Sequence, residues 1–531
     1  LVNGILPFAT NAADLASYDA QYGIGALNSA GFRGYDATVV PALGSATQNL
    51  RLASGSFSFP DVGGVGAAGT YTTNAIAFVP SVAGQTLSFA DNADTLNLTA
   101  GALVSSANLA RTIGGTVGNG RITVGGTLSS GTANFYLTQN YSTITLNSAI
   151  VDSGYGAKTR LVYTAYNSAI LQLTGTNTYT GGSVLNGSPG HTGTIQLANT
   201  AANGTSIVAL PAGDLILNRA TVQLAGSNQM AFSIVPQING GGVLDLGSYD
   251  QTLAGLVFNN NGSTATPTVN LGTGLANYTG GSTTAGDATI TMTSTAGLAA
   301  GMPITGTNIP AGTFIQQVVD GTTVILTQAA TGSTGGLTFT RWGSLKLTGG
   351  ITATSSNVTT VATISSTGSV LDLNGATRTL NVAPVTINGN TQIAPITPTL
   401  SVSSMIYDSA ASGAGLTKTG NGLLQLSSAN STYSGGINVQ AGGIVIAGSS
   451  TQTAYGDTLV AGPLGSGLLT MGSGTTLAAT GAFTVLNAYS LSGTLNVQGT
   501  ANLTLSGNST LPAGATTIDV KTPMGALTLA G

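Results

Sequence analysis

Leu171-Gln-Leu-Thr-Gly-Thr-Asn-Thr-Tyr-Thr-Gly-Gly182 returns, one residue longer, as Leu424-Gln-Leu-Ser-Ser-Ala-Asn-Ser-Thr-Tyr-Ser-Gly-Gly436. Leu171 and Leu173 alternate with Gln172, the two-residue period of a strand with one apolar face. Asn177 and the Gly181-Gly182 pair mark bends where the backbone must turn or take a positive φ, and Asn430 with Gly435-Gly436 repeats them. After the second copy, Ile437 and Val439 open another alternating strand, Gly442-Gly443 turns, and Ile444-Val445-Ile446 follows. Strand, turn, strand, turn at this short pitch is what a solenoid coil requires. One coil leaves its apolar face bare until neighbours stack on it. Tyr179 and Tyr433 are expected to lie over a turn or to stack on the next coil.

A degenerate copy begins at Leu345-Lys346-Leu347-Thr348-Gly349. A second phrase also recurs: Val243-Leu244-Asp245-Leu246-Gly247 with Gln251-Thr252-Leu253, then Val370-Leu371-Asp372-Leu373-Asn374 with Arg378-Thr379-Leu380. The copies are unevenly spaced, so the repeat has no strict period.

Composition points the same way. Only 5% of the 531 residues are charged, against about 25% in ordinary soluble domains. There are 12 basic and 16 acidic residues, and every acid is an Asp. Without Glu and with few Lys or Arg, the chain lacks most good helix formers. Val, Ile and Thr between Gly, Asn and Ser are strand-and-turn composition. Mean hydropathy is +0.31, yet apolar runs stay short and none nears the roughly 18–20 residues of a spanning helix. Regular ten-residue strands with aromatic girdles, the mark of a membrane barrel, are also missing. A net charge of -4 with scattered basic residues gives no footprint for nucleic acid. Cysteine is absent, so disulfides are not the staple. Leu1-Val2-Asn3-Gly4 lacks the basic start of a signal peptide, which reads as a mature or excised piece if the protein is exported.

The stretch Leu416-Thr417-Lys418-Thr419-Gly420-Asn421-Gly422-Leu423-Leu424-Gln425-Leu426, followed by the Asn-Ser-Thr-Tyr-Ser-Gly-Gly phrase, resembles the autotransporter-associated β-strand repeat of bacterial surface proteins. That repeat carries Lys-Thr-Gly-x-Gly-x-Leu-x-Leu before Asn-Thr-Tyr-Thr-Gly-Gly, and Leu-Asp-Leu-Asn-Gly, here 371–375, is a common companion. The copy at 158–173 departs upstream, with Lys158-Thr159-Arg160-Leu161. The resemblance covers 150–531 well and the first hundred residues weakly. It implies a right-handed parallel β-helix passenger on a secreted, cell-surface protein. No stretch up to Gly531 matches the family's C-terminal translocation barrel.

The expected fold is therefore all-β: a parallel β-solenoid with a small inserted β domain and a distinct N-terminal cap or arm. Residues 1–100 hold the cap or arm and first coils, 101–280 the solenoid, 281–342 the inserted module and 343–531 the solenoid's continuation. Gly and Pro punctuate 281–342 every few residues, as at Gly301-Met302-Pro303 and Ile309-Pro310-Ala311-Gly312. It looks like a small module of phage tail and large bacterial surface proteins. Trp342, the only Trp, sits at its exit and is read as packing the module onto the solenoid, with carbohydrate stacking as the alternative. Residues 12–18 read as one short helical turn, in a segment that either covers the solenoid's open end or acts as a polymerisation arm.

Little chemistry is offered. The closest acids are Asp91 and Asp94, read as a solvated turn and, secondarily, as a calcium candidate. Asp245 and Asp250 are the next pair. His191, the only His, lies between Gly190 and Thr192 in an exposed-turn context, so zinc and a nucleophilic triad lack ligands and partners. Asn97, Asn140, Asn277, Asn357 and Asn502 open Asn-x-Ser/Thr triplets, a weak glycosylation signal in so Thr-rich a chain. No cofactor and no enzymatic activity are expected. The function read from the sequence is a structural subunit of an extracellular filament, sheath or surface fibre, with itself as partner. An adhesin displaying the 281–342 module toward a cell-surface glycan is the alternative, and a glycan-active β-helix enzyme a lesser one.

Overall fold

The computed structural model describes residues 1–11, 14–79, 81–106, 108–188, 190–191, 193–199, 208–261, 264–273, 276–296, 298, 304–310, 313, 315–341, 343–410, 413–452, 459–510, 516–521 and 525–530. Among them there is no helix, and therefore none long and apolar enough to cross a membrane. The protein is all-β, dominated by long parallel ladders, as a β-solenoid requires. It divides into two compact units, Leu1–Gln237 and Ile238–Gly531.

In the first unit each coil adds a strand to two parallel ladders. One climbs through Thr70–Phe78, Thr95–Ser105, Thr132–Gln139, Lys158–Ala165, Ser183–Gly187 and Leu215–Asn218. The other climbs through Gln85–Phe89, Arg111–Ile113, Thr143–Leu146, Ile170–Leu173, Thr194–Leu197 and Thr221–Leu224. The alternation in each strand decides what points inward. Leu146, Leu173, Leu197 and Leu224 sit in register as a buried column, with Ile144, Leu171, Ile195 and Val222 beside them. From the other ladder, Leu103, Leu137, Tyr163, Leu185 and Leu217 form a third column. A slip of one residue in any strand would turn its apolar set outward, so the core fixes the register.

The N-terminal segment is an antiparallel sheet of Leu6–Asn11, Asp14–Asp19 and Gly23–Ala26. The expected helical turn is thus a strand from Asp14 onward, while Ala12 and Ala13 lie outside the described residues. A lone helical turn leaves its backbone groups unpaired, whereas Tyr18 here pairs with Ile24 across the sheet. Ile5, Leu15 and Leu27 bury against Ala75, Ala100, Ala102 and Val104 of the coils. Ala37 then bridges Leu50 in parallel, and the Asp36 carboxylate accepts the Asn49 N–H at 2.7 Å, covering part of the free edge of Asn49–Leu52.

The second unit repeats the two ladders and adds a third face. Leu400, Leu424, Ile444, Leu477 and Val497 form one inward column. The third face is built by Gln251–Leu253, Ser344–Leu347, Val370–Asp372 and Met405–Tyr407. Between two adjacent coils of this unit the chain leaves to form a six-stranded antiparallel sheet, running from Ala276–Thr283 to Thr334–Arg341. Its own core is Ile290, Met292, Ile304, Ile315, Val324 and Leu326. The sheet starts at Ala276, ahead of the boundary expected at 281, and Trp342 lies outside the described residues.

Candidate functional site

The recurring phrase does its work at the corners of the coils. Asn177 is buried and ties two neighbours: its Oδ1 accepts the Ile150 N–H at 2.8 Å and its Nδ2 donates to the Ala209 carbonyl at 2.8 Å. Tyr179 is fully buried, its hydroxyl 2.7 Å from the Ser183 hydroxyl, and burial raises its pKa. Tyr433 is equally buried, with no hydrogen bond to its hydroxyl. Both rings therefore fill the interior rather than lie over a turn. Gly181 passes so close to the Thr159 carbonyl that any Cβ would overlap it, and Gly182 has φ +82. Gly435 and Gly436 repeat the arrangement, Gly435 against Gly413 and Gly436 at φ +71.

Asn430 does not repeat the part of Asn177. It is exposed, and Ser431 takes the inner position, its hydroxyl accepting the Ile406 N–H at 3.0 Å. The following bonds match too, Thr178 N–H to Ile150 and Thr432 N–H to Ile406. The extra residue in the second copy is absorbed before the corner, so structural equivalence runs from Tyr179 to Tyr433 backward and pairs Asn177 with Ser431.

Three polar residues embedded in the repeat phrases act as carbonyl or amide clamps. Lys418 is fully buried, and its Nζ donates to the carbonyls of Thr419 at 2.8 Å, Gly420 at 2.7 Å and Ala441 at 3.0 Å. Ala441 belongs to the next coil, so the lysine of the Lys-Thr-Gly stretch binds two coils together. Desolvation pushes its pKa down to about 7. Arg378 donates to the carbonyls of Leu373 at 2.8 Å, Thr348 at 2.7 Å and Asn374 at 3.2 Å. Asp372, 1% exposed, accepts the N–H groups of Asn374 at 2.8 Å and Ser409 at 3.0 Å. These interactions satisfy backbone groups that turning the chain takes out of the ladders.

Asp91 and Asp94 are joined by Asp61, which the sequence reading missed. One carboxylate oxygen from each lies within 4.8 Å of the others. Asp94 is buried and accepts the N–H of Gly69 at 3.0 Å and of Asp91 at 3.2 Å, while Asp91 accepts the N–H of Gly66 at 2.9 Å. Asp61 Oδ1 has no hydrogen-bond partner. The oxygen-only set suits a hard cation, but calcium takes 6–8 oxygens, and two of these already hold the loop 61–69 to the following coil while a third closes the Asp91–Asp94 turn. Asp61 is the member no local pattern gives, because it comes from the preceding coil.

Asp245 and Asp250 serve separate corners. Asp245 accepts the Gly247 N–H at 3.1 Å, and Asp250 accepts the Ser344 N–H at 2.9 Å and its hydroxyl at 3.0 Å. His191 is exposed in a turn, its N–H bonded to the Ser188 carbonyl. An outward ladder that the sequence reading also missed runs Thr145, Gln172, Gln196, Gln223. Gln172 donates to Gln196 at 2.9 Å and Gln196 to Gln223 at 3.2 Å. The signal was available in the shared pattern of Ile-Leu-Gln-Leu, Thr-Ile-Gln-Leu and Thr-Val-Gln-Leu, once these are aligned as rungs.

The described geometry is that of a stacked scaffold whose ionised and amide groups mostly secure corners. No family model matches the chain, and no curated protein or solved structure matches it.

Proposed function

We propose that this chain is a structural subunit of an extracellular filament, sheath or surface fibre, of the passenger type that the Lys-Thr-Gly-x-Gly and Asn-x-Tyr-x-Gly-Gly phrases resemble. The observation that carries the reading is the in-register stacking of coils whose buried columns are apolar and whose outward rows are Thr, Gln and Asn. Side-chain ladders of this kind add the same interaction at every level. The clamps on Asp94, Lys418 and Arg378 support it, since each links one coil to another without leaving its charge free for chemistry. Growth by end contacts or strand addition is the mode expected for such a subunit.

Electron microscopy of the intact protein, with sedimentation over a hundredfold range of concentration, tests the proposal. Elongated assemblies that lengthen with concentration support it. A single species of monomer mass across the range rejects it.

One observation favours a second reading, a surface adhesin with a binding head: the antiparallel sheet at 276–341 has its own core and stands apart from the coil pattern. That reading requires surface attachment to fall when the loops of this sheet are altered and the solenoid still melts normally. Unaltered attachment rejects it.

A further inference from the structure

A groove of about 880 Å³ runs over the outer face of the first unit's early coils. Its floor carries a column of successive rungs, Thr70 paired with Thr95 and Thr95 with Arg121. Asp152, Tyr155 and Thr178 line it further along the coils. Three properties define what fits.

The first is that the groove lies on the face of a ladder, not at its edge. The backbone N–H and C=O groups beneath it are spent on neighbouring strands, so an added peptide strand would find no main-chain partners. Recognition must come from side chains.

The second is that those side chains are free. Among the described residues, the Arg121 guanidinium, the Tyr155 hydroxyl and the hydroxyls of Thr70, Thr95 and Thr178 have no hydrogen-bond or ion-pair partner. Asp152, by contrast, is fully engaged: it accepts the N–H of Thr159 at 2.8 Å, the N–H of Thr180 at 2.9 Å and the Thr180 hydroxyl at 2.6 Å.

The third is charge and shape. One cation and one anion line the groove, so it offers no field for a polyanion. Tyr155, 56% exposed between Gly154 and Gly156, presents an amphipathic ring to the groove.

We propose that this groove binds an extended, uncharged oligosaccharide. Arg121 and the threonine hydroxyls hydrogen-bond sugar hydroxyls, and the Tyr155 ring stacks on the apolar face of a pyranose. Rungs rise by about 4.8 Å, comparable to one sugar of an extended chain, so successive rungs meet successive sugars. The site is independent of whether the chain polymerises, and it lies in the solenoid itself rather than in the inserted sheet.

The test is isothermal titration of the full chain with cellohexaose and chitohexaose, alongside oligogalacturonate as the acidic counterpart. Saturable binding of at least one neutral hexasaccharide is expected. Tyr155→Ala and Arg121→Ala should each weaken it by about tenfold or more, Tyr155→Phe should retain it, and Tyr166→Ala, outside the groove, should leave it unchanged. Thermal melts of all four variants should match the parent. Absence of saturable binding by both neutral sugars at millimolar concentration overturns the proposal, as does binding that survives both alanine changes. Tighter binding of oligogalacturonate overturns the assignment to an uncharged ligand.

Discussion

Lys418 condenses what a single residue contributes to this fold. Burying an ammonium disfavours its charged form, while three carbonyls around Nζ supply acceptors that the ladder itself does not satisfy. Its pKa falls from the ordinary 10.5 to about 7. The unfolded chain therefore binds more protons than the folded one between these values, and stability rises with pH across that window. Arg111, lowered to about 10 by desolvation, adds a rise of the same sign only near the top of that window, while Tyr71 and Tyr407, raised by burial to about 12, titrate above it. These tyrosines stabilise below pH 10 and lose that contribution as pH climbs toward 12. The melting temperature should thus increase from pH 7 to pH 9.5, and Lys418→Met should flatten the slope. An unchanged slope in the variant means that Lys418 stays charged throughout. A second residue-level outcome concerns Gly436. Its φ of +71 is unfavourable to any other residue, and a Cβ there would strike the Leu468 backbone of the next coil. Gly436→Ala should cost about 2 kcal/mol or more in urea unfolding.

At the level of the strand, inward and outward positions do different amounts of work. Leu197 sits in the column between Leu173 and Leu224, and its truncation to Ala should cost about 2–5 kcal/mol. Gln196, its outward neighbour, holds two amide contacts in a half-exposed row, so Gln196→Ala should cost only about 1 kcal/mol. Comparable losses for the two would mean that the outer ladder, not the core column, holds the coils. The inward set was legible from alternation alone, because Leu-Gln-Leu specifies its buried face without knowledge of partners. The ladder of glutamines was not, since it depends on which strand lies above which, and uneven coil lengths hide that register. The same limit explains Asn430 and Asp61. Matching by residue type aligned Asn430 with Asn177, whereas backbone hydrogen bonds align Ser431 with it. Asp61 reaches Asp91 and Asp94 only through stacking of coils.

For the chain as a whole, the instructive feature is how the solenoid of the second unit tolerates an insertion. Residues 277–281, Asn-Tyr-Thr-Gly-Gly, look like the corner phrase, yet they pair antiparallel with Thr334–Arg341. The boundary expected at 281 thus falls within this strand, whose extent is marked by its pairing with Thr334–Arg341. The coils on either side pair directly: Leu256 with Ile351, Gln251 with Leu345, and Ser344 bonded to Asp250. Gly272 and Gly343 both press against Ser248 so closely that neither has room for a Cβ, which places the points of departure and return side by side. Closing a loop of that length costs little more entropy than closing a short one, because the cost grows only logarithmically. It follows that replacing residues 274–342 with a short Gly-Ser linker should leave the far-ultraviolet β signal per residue and the main unfolding transition nearly unchanged. The separate core of Ile290, Met292, Ile315 and Val324 would simply be lost with its sheet. Loss of the main transition in that variant would show instead that the antiparallel sheet holds the neighbouring coils together, and the stacking of Asp250, Leu256 and their partners would then be a consequence of the insertion rather than independent of it.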